Sequence, residues 1–188
     1  MAFLSVINEI DFALLDFIQQ VLRFALLDPI MYFFSYAGEA GAVWIISAAI
    51  MMCFKKSRAI GVMILFAMGL SFVVGEFGLK NIICRPRPFI VNPQMDSLIP
   101  PPLGYSFPSG HSSSSFAAAT VIFIKNKKFG IPAFVIAFLI AFSRLYNYVH
   151  FPSDVICGSL LGVVCAFIIV VVFRRTGIEK KLSVNSQK

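Results

Sequence analysis

The chain has 188 residues, 59% of them hydrophobic and only 13% charged, against roughly one-quarter charged residues in soluble domains. So much apolar surface has no place in a water-soluble core of this size, so a soluble domain or small secreted scaffold is excluded and a bilayer is implied. The net charge of +7 does not signal nucleic acid either, because the basic residues sit in short clusters between long apolar runs.

In chain order, the stretch 6–27 comes first. Asp11, Asp16, Gln19, Gln20 and Arg23 interrupt it, while Phe12, Leu15, Ile18, Leu22 and Leu26 recur at helical spacing. That pattern predicts an amphipathic helix lying in the membrane interface, with a sixth span as the alternative. Glu9, Asp11 and Asp16 stand where a leader carries positive charge and then a clean apolar run, so no cleavable signal peptide is expected. Five segments then approach the need of a hydrocarbon core for about 20 mostly apolar residues. They cover 31–54, 59–79, the PSGH sequence at 108–111 onward to 124, 129–145 and 155–173. The third and fourth are short by that rule but are bounded by charge or by motif-bearing loops. The expected architecture is all-α: a polytopic transmembrane helical bundle of about five spans plus the N-terminal interfacial helix. No internal repeat divides the chain, and a single domain over 1–188 is expected. Cys53, Cys84, Cys157 and Cys165 lack paired metal-ligand spacing and read as ordinary buried thiols. No metal site is expected.

Orientation follows from Lys and Arg. Lys55, Lys56 and Arg58 lie between the first two spans, Lys125, Lys127 and Lys128 between the third and fourth, and Arg174, Arg175, Lys180, Lys181 and Lys188 after the fifth. All share one side, which the positive-inside rule makes cytoplasmic, the C-terminus included. Arg23, Lys80, Arg85, Arg87 and Arg144 are left on the opposite side, where the rule predicts few cations.

Two outward loops, 80–111 and 143–154, hold four of those cations together with both histidines, His111 and His150, and the carboxylate Asp154. Histidine exchanges protons near neutral pH. Arginine offers a planar fork of donors to phosphate oxygens, and lysine a point charge. This is the composition of a site that handles phosphate. Phe107-Pro108-Ser109-Gly110-His111 runs directly into an apolar helix, whose first-turn N–H groups bind anions. Pro152 and Asp154 read as the first turn of the last span, close enough for Asp154 to reach back to His150 and fix its tautomer. Glu76 precedes Lys80 by four residues, one helical face, and is expected to pair with it or with another site cation. Glu39 lies in the outer half of the first span, where a buried acid usually faces a site or a cation. The run Ser112–Ala119, with only Phe116 bulky, predicts close packing of the third span.

Three motifs together identify a family. Lys80, six residues, then Arg87-Pro88; Pro108-Ser109-Gly110-His111; and Ser143-Arg144, five residues, His150, three residues, Asp154. In this order and spacing they resemble the three-part signature of the type 2 phosphatidic acid phosphatase and haloperoxidase superfamily. The chain is most similar to small bacterial membrane members that act on lipid phosphates, including undecaprenyl diphosphate phosphatases of the bacitracin-resistance type. The resemblance implies hydrolysis of a lipid phosphate or diphosphate, undecaprenyl diphosphate favoured, at the outer face of a bacterial plasma membrane and without cofactor or metal. It makes His150 the nucleophile that becomes phosphohistidine, Asp154 its orienting carboxylate and His111 the acid for the leaving oxygen. Lys80, Arg87, Ser109, Gly110 and Arg144 would hold the phosphate, with Glu39, Glu76 and Arg85 as supporting candidates. The expected partners are the bilayer and a lipid phosphate or diphosphate, and no nucleic acid. Phosphatidylglycerol phosphate and phosphatidic acid are the competing substrates, and a lipid phosphotransferase the competing reaction. Haloperoxidases of the superfamily are mainly soluble and larger, which sets that branch aside, and a pure lipid binder has no need of two histidines.

Overall fold

A computed structural model describes residues 2–95 and 97–184, and among these there are ten α-helices and no strand. They are α1 (Ala2–Phe17), α2 (Asp28–Ala37), α3 (Ala42–Cys53), α4 (Arg58–Phe72), α5 (Lys80–Ile83), α6 (Pro88–Val91), α7 (Gly110–Lys125), α8 (Lys127–Tyr146), α9 (Pro152–Arg175) and α10 (Ile178–Val184). Two turns of π-helix interrupt the pattern, at Ile18–Leu22 after α1 and at Val73–Leu79 between α4 and α5. The segments Arg58–Val91, Lys127–Tyr146 and Pro152–Arg175 are long and apolar enough to cross a membrane. Only 28% to 44% of their most apolar windows is buried inside the protein, so most of that apolar surface faces outward, where lipid rather than water must cover it.

Two of the expected spans differ from the sequence reading. The segment 31–54 is not one continuous helix: α2 and α3 meet at 50°, and count as a fourth span only if taken together. Ala40 (φ 49°) and Gly41 (φ 71°) both adopt left-handed backbone at the join, a conformation that ends a helix and that glycine accepts without a Cβ penalty. The third expected span, α7, has 16 residues, about 24 Å at 1.5 Å per residue, short of a hydrocarbon core. Nine of those residues are buried, and α7 packs on α4, α8 and α9 as the central helix of the bundle. Length and hydropathy thus give three or four spans among the described residues.

Small residues let α7 sit that close. A Cβ on Gly158 of α9 would lie 2.5 Å from the Ser109 carbonyl oxygen, and one on Gly162 only 2.2 Å from that of Ser113. The two glycines form a groove one helical turn long, into which the Ser112–Ala119 face fits. Trp44 Nε1 donates to Ser115 Oγ at 2.9 Å, satisfying the indole while tying α3 to α7. Met63, Ile64 and Ala67 of α4, Val121 of α7, Ile140 of α8 and Val170 of α9 fill the shared core.

The helix α1 docks where α8 turns into α9. Asp11 and Leu15 are buried there, while Ile10, Leu14, Phe17 and Val21 stay exposed on the other side. Phe12 meets Phe151 edge to face, and Gln19 Nε2 donates to the Tyr146 carbonyl at 3.1 Å. Cys53 and Cys84, expected to be buried, are exposed, because apolar helix surface here faces lipid as often as protein.

The starts of α7 and α9 and the end of α8 meet at one end of the bundle, where the Ser109 N–H donates to the Asp154 carbonyl at 3.1 Å and the Val149 N–H to that of Arg144 at 3.1 Å. The Lys55–Arg58, Lys125–Lys128 and Arg174–Arg175 clusters fall at the other end, where Lys125 pairs with Glu179 of α10 at 2.6 Å. Lys188 lies outside the described residues.

Candidate active site

The α8–α9 turn presents His150 by a set of backbone bonds. Asn147 N–H donates to Ser143, Tyr148 N–H to Leu145 and Val149 N–H to Arg144, at 2.9, 3.0 and 3.1 Å. Tyr148 takes a left-handed φ of 59° to make the turn, the kind of backbone outlier found at functional sites. Its fully buried ring packs with Leu15 of α1 and Phe151. The result is a His150 side chain almost wholly withdrawn from solvent.

Both ring nitrogens of His150 have defined neighbours. Arg87 Nη1 lies 3.2 Å from Nε2. A guanidinium has no acceptor, so Nε2 carries the lone pair and the ring proton sits on Nδ1. That proton faces Ser106 Oγ at 3.4 Å and Asp154 Oδ2 at 3.6 Å. Asp154 was expected to reach the ring directly. Its Oδ2 lies within ion-pair distance of the ring and also accepts from Ser106 Oγ and from the Phe151 N–H at 2.8 Å, so Ser106 flanks the carboxylate–imidazole pair. The His150 pKa is pushed down to about 3, first by burial and then by the Arg87 and Arg144 charges, with Asp154 opposing. The imidazole is therefore neutral at physiological pH, with Nε2 free to act as a nucleophile once Arg87 shifts to an anion.

Arg87 does more than touch His150. Its Nε and Nη2 donate to the Gly104 and Leu103 carbonyls at 3.0 and 3.1 Å, and Nη1 donates to Val149 at 3.0 Å. The outer loop is thus fastened to the histidine turn through one guanidinium. Arg144, fully buried at the end of α8, donates from Nη1 to Ser35 Oγ of α2. Its Nε has no hydrogen-bond partner among the described residues, an orphaned donor beside a cavity. Lys80 Nζ lies 2.6 Å from Glu76 Oε1, the contact that four-residue spacing predicts, with Glu76 inside the π-turn and Lys80 directly after it. Such bulges re-aim side chains and occur often at functional sites.

His111 opens α7, and its Nε2 lies 3.5 Å from Glu39 Oε2, an ion-pair distance without hydrogen-bond geometry. The α2–α3 break is what brings Glu39 there. Gly38 lies close beneath, since a Cβ on it would meet His111 Cδ2 at 2.9 Å. Ser109 is the N-cap of the same helix, and its Oγ accepts from Ser112 N–H at 3.4 Å and from Ser112 Oγ at 2.9 Å.

These groups surround one cavity of about 670 Å³, within the range of small-molecule sites. Lys80, Arg87, His111, Arg144 and His150 form its polar end, with Glu39, Glu76 and Gly110 beside them. Ile45, Leu65, Met68 and Phe72 form an apolar flank between α3 and α4. Ser109, Asp154 and Arg85 do not line it. Ser109 caps the helix behind it, and Asp154 stands behind His150. Arg85 bridges Asp154 Oδ1 at 2.8 Å and Asp11 Oδ2 at 2.7 Å. Sequence reasoning missed Ser106, Ser35 and Asp11. The first two carry no motif, and Asp11 read only as a break in an amphipathic pattern.

A cationic, histidine-bearing cavity with an apolar flank suits an anionic lipid headgroup. Comparison with known proteins agrees. A family model described as the PAP2 superfamily matches residues 59–178. An undecaprenyl-diphosphatase of Sulfolobus acidocaldarius is 37% identical over 162 residues, covering 85% of this chain and 77% of its own. The crystal structure of Aquifex aeolicus LpxE superposes with a TM-score of 0.76 at 32% identity, covering 86% of this chain and 94% of that one. The crystal structure of a transmembrane PAP2 type phosphatidylglycerolphosphate phosphatase from Bacillus subtilis gives a TM-score of 0.69 at 27% identity, covering 93% and 87%.

Proposed function

Because the chain belongs to the PAP2 superfamily and is a membrane phosphatase, we propose that it hydrolyses a lipid diphosphate, undecaprenyl diphosphate above all, through a phosphohistidine on His150. The observation that carries this reading is the Nε2 lone pair of a buried, neutral His150 facing a cavity that Lys80, Arg87 and Arg144 also line. Those cations neutralise charge on the transferring phosphoryl group, the principal need of such chemistry, and they do it without metal. The Gly110 N–H at the start of α7 adds a neutral donor.

In the first step Nε2 forms a bond to phosphorus while the bond from phosphorus to the leaving oxygen breaks. His111, its charge supported by Glu39, gives that oxygen a proton. Water then attacks phosphorus, returns a proton to His111 and releases phosphate as the P–N bond breaks. Asp154, with Ser106 beside it, holds the Nδ1 proton and favours the cationic ring of the intermediate. Ser109 acts by fixing the α7 terminus that presents Gly110 and His111.

The identity of the favoured substrate rests on the undecaprenyl-diphosphatase relative, and the apolar flank between α3 and α4 fits the first units of a polyprenyl tail. A phosphatidylglycerol phosphate phosphatase is the second reading, favoured by the Bacillus subtilis structure. The basic clusters at the opposite end of the bundle support, through the positive-inside rule, a site at the outer face of the plasma membrane and a cytoplasmic C-terminus. On this reading α7 completes five spans within one domain.

Purified protein in detergent with EDTA is expected to release phosphate fastest from undecaprenyl diphosphate, ahead of phosphatidylglycerol phosphate and phosphatidic acid. His150→Ala is expected to release none. A ranking headed by phosphatidylglycerol phosphate supports the second reading, and no release from any of the three overturns the proposal.

A further inference from the structure

Behind His150 a chain of charge runs from Asp154, the last residue of the motifs, to Arg85 and Asp11, which lie outside them. Arg85 donates from Nη1 to Asp154 Oδ1 at 2.8 Å and from Nη2 to Asp11 Oδ2 at 2.7 Å. It also reaches Ser153 Oγ at 2.7 Å and Asn8 Oδ1 at 2.8 Å, and its guanidinium carbon sits 4.0 Å over the Phe151 ring. Asp11 is 2% exposed and Asp154 fully buried. Asp11 belongs to α1, remote in sequence from every site motif, yet its Oδ1 also accepts from the Ser153 N–H at 2.9 Å.

Burying an aspartate of an otherwise amphipathic helix costs free energy unless something answers it. Here the answer is a guanidinium that already serves the carboxylate supporting the nucleophile. The balance of charge matters. Arg85 with Asp154 alone is a neutral pair, which holds Asp154 in place but cancels its field at His150. Arg85 between two carboxylates leaves one net negative charge on the assembly. That charge favours the cationic ring His150 acquires when Nε2 bonds to phosphorus, against the opposing fields of Arg87 and Arg144.

We propose that Asp11, on the N-terminal helix, is a positioning residue of the phosphoryl-transfer site that acts on His150 through Arg85 and Asp154. This rests on the phosphatase reading given above. The helix thereby becomes part of the catalytic apparatus rather than only an interfacial anchor. The bland alternative is a helix cap: Asp11 supplies α9 with the side-chain acceptor that Phe151, at the N-cap, does not have.

Charge and shape can be separated. Asp11→Asn keeps an acceptor for Ser153 but removes the charge, whereas Asp11→Glu keeps the charge and disturbs the shape. With phosphate release from undecaprenyl diphosphate as the readout, Asp11→Asn is expected to lower kcat about ten-fold with KM unchanged, the order of one unit charge acting at second-neighbour distance. Asp11→Glu is expected to retain more kcat than Asp11→Asn. Adding Arg85→Gln to Asp11→Asn returns the assembly to one net negative charge, and the double variant is expected to exceed the single in kcat. Thermal unfolding in detergent establishes that each variant is folded, and Asp11→Glu carries the test if Asp11→Asn does not fold. An active wild type whose kcat survives Asp11→Asn, or a set in which Glu is worse than Asn and the double no better than the single, overturns the inference alone. A wild type that releases no phosphate overturns the phosphatase reading, and this inference falls with it.

Discussion

At His150, burial and hydrogen bonding pull in opposite directions. Withdrawal from water disfavours the charged ring, and Asp154 favours it. Burial dominates, and the free site holds a neutral imidazole with its pKa near 3. A nucleophile needs that state, whereas the phosphorylated ring needs the opposite, so the Asp154 carboxylate contributes most after attack. The depressed pKa has a consequence for folding. Above the ordinary histidine value of 6.5 the ring is neutral in folded and unfolded chains alike, and its titration contributes nothing. Below it the unfolded chain takes up a proton that the folded chain refuses, so stability falls progressively down to about pH 3. The unfolding midpoint in detergent is expected to drop between pH 7 and pH 4, and His150→Gln is expected to flatten that dependence. An unchanged slope in the variant places the acid sensitivity elsewhere.

At the scale of elements, the site is built from irregularities in helices. The α2–α3 break delivers Glu39, the π-turn after α4 delivers Glu76 and Lys80, and the starts of α7 and α9 deliver His111 and Asp154. Irregular backbone at membrane depth is tolerated where it borders a cavity rather than lipid. The helix α4 also shapes the exit. Leu65 and Gly69 line both the site cavity and an adjoining apolar groove bounded by Leu70, Val73 and Ile169. A Cβ on Gly69 would meet nothing within 4 Å, so the gap it leaves is open space between the two. This is the path a lipid tail takes on the proposed reading. Gly69→Leu places its Cβ in open space and gains helix propensity of roughly 0.5–1 kcal/mol. It is expected to raise KM for a long polyprenyl diphosphate about ten-fold while leaving turnover of a short-chain analogue unchanged. Equal effects on both substrates rule out the tail path.

For the whole molecule, the sequence reading was sharpest where function constrains spacing. Three motifs spread over residues 80–154 converge on one cavity, and Lys80, Arg87, His111, Arg144 and His150 all line it. Helical type and the boundaries of α8 and α9 were legible from apolar runs. The rest depends on contacts that no local pattern reveals. Asp11 finds Arg85 across 74 residues, and Ser106 finds Asp154 across 48. The break falls at Gly38-Glu39-Ala40-Gly41, where two glycines and an acid disfavour a continuous helix, a local signal outweighed in the reading by the apolar residues on either side. The close packing of α7 was legible from the small residues of Ser112–Ala119, but its central position among α4, α8 and α9 was not. Exposure of Cys53 and Cys84 was misread because hydropathy alone does not distinguish a neighbouring helix from lipid.

The central claim is that phosphate passes through His150, and the most direct measurement is to trap it there. Protein in EDTA is mixed with undecaprenyl diphosphate labelled at the terminal phosphate, then quenched in alkaline detergent within the first turnover. Label is expected on the protein, stable in alkali, labile in acid, located at His150 and absent from His150→Ala. Turnover that continues with no labelled protein, or label carried by another residue, contradicts it.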